Sequence, residues 1–217
     1  MKKLFLIFLL LISSNGFAQL YESIETEAAN LLLDLSNHNS LSSTDFEGLK
    51  VILKNADSSN ELEIKYQVNL QEVDSLQNHL QLFLSEFEKI SSDSALVLFN
   101  KWYLHFSNTF YNYADEEFFS SNKTKILFFS TSMSCYCTLE MCKKKTIGIL
   151  NLAKEKNLDY WIVDSYEHND LQIKYETFFA PSLIVFDSNN NVLYKIEYDE
   201  KMITLLTALL NGLIKKG

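Results

Sequence analysis

The sequence predicts a chain of two unlike parts. Residues 19–121 read as an all-α helical domain, and residues 122–217 as an α/β domain with the order β-α-β-α-β-β-α. Three observations predict this. Up to about residue 121, apolar residues recur three and four apart, the period of a helix face. From residue 125, short apolar runs alternate with stretches of helical period, the pattern of alternating strands and helices. Finally, five glycines and one proline in 217 residues leave too few tight turns for an all-β fold, while 47% apolar residues suffice for a sizeable core.

In the first part, Ile24, Ala28, Leu31 and Leu35 mark one helix. Phe46, Leu49, Leu53 and Ala56 mark a second, behind a capping-box start at Thr44-Asp-Phe-Glu47. The third carries Val73, Leu76, Leu80, Phe83, Phe87 and Ile90; the fourth runs from Ala95 to Tyr113, opened by Ser92-Asp-Ser94. Polar loops at 37–43, 57–60 and 91–94 separate them, so four helices are expected to pack their apolar faces together. The aromatic stripe from Trp102 to Phe119 suits either a core or a ligand-binding face, and core is the reading of choice.

In the second part, Lys125 to Ser130 reads as a buried strand and about Thr138 to Lys156 as a long helix. Leu158 to Val163 is a second strand, ending at Asp164, and a short helix over about Asp170 to Thr177 follows. Ser182–Phe186 and Val192–Tyr198 are strands joined by the turn Asp187-Ser-Asn-Asn-Asn191, because asparagine tolerates positive φ. A helix over roughly Glu200–Lys215 ends the order.

Met1-Lys2-Lys3 followed by nine apolar residues, Leu4 to Ile12, and small residues ahead of Gln19 read as a secretory signal peptide over residues 1–18. A membrane anchor needs about 20 apolar residues, so no stable membrane insertion is expected after cleavage. The mature chain is expected in the periplasm or secreted. Loss of two lysines takes the net charge from −9 to −11, with no arginine anywhere. Nucleic acid and anionic membranes need clustered positive charge and are excluded as partners. No Ser/His/Asp arrangement, phosphate loop or HExxH motif is present, and His38, His79 and His105 lie singly and suggest no site.

All three cysteines fall in the run Met133-Ser-Cys135-Tyr-Cys137-Thr-Leu-Glu-Met141-Cys142, with two of the four methionines. Outside the cytosol thiols tend to pair, and three is an odd number. One pair with a free thiol, or three thiolates on a metal, are the economical solutions. Cys135 precedes a helix start, where unpaired N–H groups favour a thiolate, and Lys143, Lys144 and Lys145 add positive charge nearby.

With these residues in view, the second half resembles the thioredoxin fold. The strand Lys-Ile-Leu-Phe-Phe-Ser-Thr runs into Cys135 and a long helix. Tyr-Trp-Ile-Val-Asp164 precedes a polar loop and Lys174-Tyr175-Glu-Thr-Phe-Phe-Ala-Pro181, as in the segment before the family's cis-proline, and Ser-Leu-Ile-Val-Phe-Asp-Ser-Asn-Asn-Asn-Val looks like its strand-turn-strand. The resemblance implies a thiol–disulfide oxidoreductase acting on exported protein thiols or disulfides without a cofactor. Cys135 would attack, Cys137 or Cys142 would resolve, and a cis Ala180–Pro181 bond would shape the substrate groove.

The chain departs from the family in four ways. Thr138 stands where the second cysteine of Cys-x-x-Cys belongs; Cys137 lies one residue early and Cys142 four late. Ser134 replaces the usual tryptophan, and Phe129 aligns with the family's buried acid. A Cys-x-Cys disulfide closes a small strained ring, and strained disulfides are the more oxidising ones. The runner-up is a periplasmic Cu(I)-binding or metal-transfer protein using Cys135, Cys137, Cys142, Met133 and Met141, with His168 as a distal ligand. Zn(II) suits that set less, since it wants a fourth ligand. A third reading makes the domain a non-catalytic interaction module, with Cys142 in a structural bridge or simply buried.

Overall fold

The computed structural model describes residues 20–37, 41–56 and 62–214. The expected leader, His38 and the connector 57–60 lie outside them. The fold is mixed α/β, mostly helical, with a four-stranded sheet in the C-terminal part. Among the described residues no helix is long and apolar enough to cross a membrane.

Helix α1 (Leu20–Ser36) buries the expected stripe of Ile24, Ala28, Leu31 and Leu35. A short 3-10 turn (Ser43–Phe46) leads into α2 (Glu47–Ala56). The cap is not at Thr44 as the sequence suggested but at Ser42. Its backbone N–H donates to Asp45 Oδ2 at 2.7 Å, and Asp45 N–H returns a bond to Ser42 O at 3.0 Å. A tight turn over Leu62–Tyr66 precedes α3 (Leu70–Phe87), which a reciprocal box caps: Asn69 N–H to Glu72 Oε2 at 2.7 Å and Glu72 N–H to Asn69 Oδ1 at 3.1 Å.

The expected fourth helix is two. Helix α4 (Ser92–Thr109) ends at Phe110, whose φ of −98° and ψ of 21° leave the helical region, and α5 (Tyr111–Ser120) starts in a new direction. The break has a packing cause. Phe99 and Phe106 on α4 belong to the core on one side of the sheet, whereas Ala114 and Phe118 on α5 pack on the other side. One straight helix could not serve both. Trp102, Tyr103, Phe106, Phe110, Tyr113 and Phe118 are all buried, so the aromatic stripe is core. Fully burying each such ring stabilises the fold by about 1.5–3 kcal/mol.

The sheet order is β2-β1-β3-β4, with β1 (Lys125–Ser130) parallel to β2 (Asp159–Asp164) and antiparallel to β3 (Ser182–Phe186), which pairs with β4 (Val192–Glu197). Helices α6 (Tyr136–Lys156), α7 (Asn169–Tyr175) and α8 (Met202–Ile214) complete the expected order. Successive strand residues point to opposite faces. Ile126, Phe128 and Ile162 therefore join α6, α8 and the first-half helices in one core, while Leu127, Phe129, Trp161 and Val163 pack with α5 and α7. Gly148 of α6 lets α8 approach closely: a Cβ there would meet Ile203 Cγ1 at 2.6 Å.

The helical half joins the sheet through apolar contact and a few buried polar bonds. Ser107 Oγ on α4 donates to the Ile162 carbonyl of β2. The hydroxyls of Tyr103 and Tyr160 both donate to Glu25 Oε1 on α1, the former at 2.8 Å. Burial raises the Glu25 carboxyl above its ordinary range, partly offset by those two hydroxyls.

Candidate functional site

Strand β1 is buried along its whole length, so its exit point is fixed, and it delivers the chain through Thr131–Ser134 to the first turn of α6. Cys135 is the N-cap residue, with φ −62° and ψ 154°, and its carbonyl accepts bonds from Thr138 and Leu139 N–H, both at 3.1 Å. This leaves its side chain beside the first helical turn. The Cys135 sulfur lies 2.7 Å from Cys137 Sγ and 3.3 Å from Thr138 Oγ1, and both cysteines are exposed. The hydrogen bond with Cys137 comes first, then those from the Thr138 hydroxyl and backbone N–H, in holding the Cys135 thiol down to about 6. A low-pKa thiol open to solvent is the nucleophile that thiol chemistry requires.

Cys142 stands apart from the pair. Seven residues on, it lies about 10.5 Å farther along the helix axis than Cys135; Cys137 is five residues away, about 7.5 Å. Disulfides need Cα atoms within about 6.8 Å, so neither pairing forms without unwinding α6. Cys142 is wholly buried. Burial pushes its thiol up to about 11, against bonds from the Ser130 hydroxyl and Thr131 backbone that lower it.

The lysine expectation is corrected. Lys143 and Lys145 are buried, not arrayed around the thiolate. Lys143 Nζ bonds Glu140 Oε1 at 2.8 Å, and Lys145 Nζ bonds the Glu200 carbonyl. Their amphipathic stems cover core surface while each charge finds an acceptor. Hydrogen bonds at the helix start, rather than lysine charge, depress the Cys135 thiol.

Pro181 is buried at the head of β3, and the Ala180–Pro181 bond is cis. Ala180 lines an open groove of about 650 Å³ together with Thr131, Met133, Ser134 and Thr138 from the thiol side. Ser165 and Tyr166 after β2, Gln172 of α7, and Phe178, Phe179 and Tyr198 form the rest of its wall. Phe178 and Phe179 are 67% and 63% exposed, so two large rings meet water in a groove that the thiol loop also lines. Glu197 Oε1 holds their loop by accepting both backbone N–H groups, that of Phe179 at 2.8 Å.

The remaining sequence candidates are spread out. Met133 is 62% exposed and lines the groove, whereas Met141 is half-buried on the helix. The His168 ring stacks on Tyr111 at a centroid distance of 3.7 Å, its buried Nε2 has no hydrogen-bond partner, and burial lowers its pKa. Among the described residues, no three His, Cys, Asp or Glu side chains converge as a metal-holding group. His79 and His105 do not lie singly: their ring centroids are 4.7 Å apart, with Ser75 Oγ 3.2 Å from His105 Nε2.

Sequence reasoning missed Thr138 as a thiol partner, although its place three residues after a helix cap was the available signal. It also missed the groove aromatics and Asp164, whose roles depend on which loops the sheet brings together.

No protein-family model matches the chain, and no curated protein matches it significantly. Solved structures similar to it include a designed protein known from its crystal structure, 19% identical, with a TM-score of 0.36, covering 45% of this chain and 82% of that one. Another is a designed protein known from backbone chemical-shift assignments, 20% identical, TM-score 0.33, covering 45% and 81%. At this level of superposition the likeness carries no argument.

Proposed function

We propose that this chain is an exported, thioredoxin-like thiol–disulfide oxidoreductase acting on protein partners, with Cys135 as the attacking thiol and Cys137 as the resolving one. The observation that carries this reading is the exposed Cys135 sulfur at the start of α6, 2.7 Å from Cys137 Sγ and held down to about 6. Support also comes from the strand order, from the cis Ala180–Pro181 bond and from the groove that Ala180 shares with Ser134 and Thr138.

In the reducing direction, the Cys135 thiolate attacks one sulfur of a partner disulfide. The partner S–S bond breaks, one partner thiolate leaves, and a Cys135–partner disulfide forms. Cys137 then gives its proton to solvent and attacks Cys135 Sγ, releasing the second partner thiolate. The partner gains two electrons; the enzyme pair loses two and becomes a disulfide, which an external dithiol must reduce again. Run backwards, the same steps oxidise a partner dithiol. Cys142, protonated and buried, takes no part.

The test is exchange with a disulfide-bonded protein. Cys135→Ser abolishes it, and Cys137→Ser accumulates mixed disulfides that a non-reducing gel resolves. Unchanged exchange in Cys135→Ser rejects the reading. A second reading uses the same exposed sulfurs: Cu(I) held by Cys135 and Cys137 with the groove-lining thioether of Met133. One equivalent of Cu(I) protecting both thiols from alkylation, with an ordinary Cys135 pKa in the apo protein, favours it.

A further inference from the structure

Phe129 occupies the face of β1 away from the thiol helix, yet a buried acid does sit under the site, on the neighbouring strand. Asp164 ends β2 as the register partner of Ser130, so the two side chains share the α6 face of the sheet. It is 1% exposed. Its Oδ1 accepts two backbone N–H groups, Ser132 at 3.1 Å and Tyr166 at 3.0 Å. Those belong to the two neighbouring loops that leave β1 and β2 and both line the groove: Thr131–Ser134, which leads into Cys135, and Ser165–Tyr166.

The thiol loop is otherwise folded on itself, with Thr131 Oγ1 donating to Met133 O at 3.0 Å and accepting from Met133 N–H at 3.3 Å. Such local bonds shape the loop, and at its root Ser165 N–H donates to Ser130 O at 2.9 Å, joining the two strand exits. Asp164 Oδ1 extends that tie into the thiol loop, because one carboxylate oxygen accepts from Ser132 of that loop and from Tyr166 of the next. The second oxygen, Oδ2, is buried and has no hydrogen-bond partner. Leaving one oxygen of a buried carboxyl group without a partner is unfavourable.

We propose that Asp164 is a positioning residue for the thiol reaction: its Oδ1 locks the loop leading into Cys135 to the neighbouring loop Ser165–Tyr166, so that a bound partner disulfide meets the sulfur in line. It touches no reacting atom. The inference rests on the oxidoreductase reading. It concerns docked, protein-sized partners, because a small reagent reaches the exposed sulfur without the groove.

The test compares Asp164→Asn with Asp164→Glu in the full chain. Asparagine keeps an acceptor oxygen in place and discards the charge; glutamate keeps the charge and displaces the oxygen by one methylene. Two rates are read for each: Cys135 alkylation by iodoacetamide across pH, and exchange with a disulfide-bonded protein. The expected result is that Asp164→Asn stays within about threefold of wild type in both, while Asp164→Glu slows protein exchange about tenfold or more with an unshifted alkylation profile. The reverse ranking, glutamate active and asparagine slow, overturns positioning in favour of charge. Parallel loss of both rates in Asp164→Glu overturns it in favour of general destabilisation. A wild-type protein inert to every disulfide overturns the oxidoreductase reading itself, and this inference with it, whereas an active wild type with the wrong variant pattern overturns the inference alone.

Discussion

Cys135 and Cys142 share one helix, yet the first is exposed with a thiol held down to about 6 and the second is buried with a thiol pushed up to about 11. The residue type is the same; the position along α6 differs. At the first turn, Cys137 and then the Thr138 hydroxyl and N–H stabilise a negative sulfur. Two turns later, every helical N–H is engaged and the side chain enters the core, where a charge is desolvated. Position thus divides one cysteine cluster into an exposed pair and a buried packing residue.

Four measurements break or sharpen this contrast. The largest expected effect is selective alkylation of the folded protein at pH 7. A thiol titrating near 6 is about nine-tenths thiolate there, and one near 11 only about one part in ten thousand. The higher-pKa thiolate is intrinsically more nucleophilic, which offsets about two of those four decades. Cys142 is also buried, so Cys135 should react at least about a hundred times faster, which peptide mapping after a short pulse resolves. The Cys135 rate should fall about tenfold per pH unit below 6 and level off above it, since only the deprotonated form reacts. Comparable labelling of both residues would dissolve the contrast.

Next in size is a core effect on the same helix. Gly148→Ala places a methyl group against Ile203, at 2.6 Å from its Cγ1. It should destabilise the protein by about 1–3 kcal/mol in denaturant unfolding while leaving the Cys135 pH profile unmoved. A shifted profile would show that the thiol's environment is not local to the first turn.

Cys142→Ser exchanges a buried thiol for a more polar hydroxyl. It should cost about 1–2 kcal/mol of stability, since the hydroxyl is desolvated, and alter protein exchange by less than about threefold. A large loss of exchange would return Cys142 to the resolving role.

The smallest effect is the most local one. Thr138→Val removes the hydroxyl 3.3 Å from Cys135 Sγ while keeping shape and backbone N–H. The Cys135 pKa should rise, by less than about one unit, because the bond with Cys137 remains the larger contribution. The same alkylation titration reads it, and a fall would contradict the assignment.

Much of the second half was legible because its elements are short and strongly patterned. The strand Lys125–Ser130, the turn through Asn190 at φ 65° and the strand Ser182–Phe186 lie where apolar runs and asparagines put them. The break at Phe110 was not legible. Phe106, Phe110 and Tyr113 keep helical spacing through it, and only the need to pack both sheet faces bends the chain there. Lys143 and Lys145 misled for a related reason. Charged residues read as solvated until their partners, here Glu140 and a backbone carbonyl, are brought to them.

By itself, the sequence determined that three thiols gather at the start of a helix after a buried strand, because periodicity and composition are local properties of the chain. It also determined the two-part order of elements and the turn chemistry between β3 and β4. The tertiary structure decided which thiols meet, by setting the rotation and depth of α6 against the sheet and so sending Cys142 inward. It alone brought Phe178, Phe179, Tyr166 and Ala180 around the thiol loop and placed Asp164 between two loops some thirty residues apart. Those juxtapositions depend on long-range packing, to which residue spacing along the chain is blind.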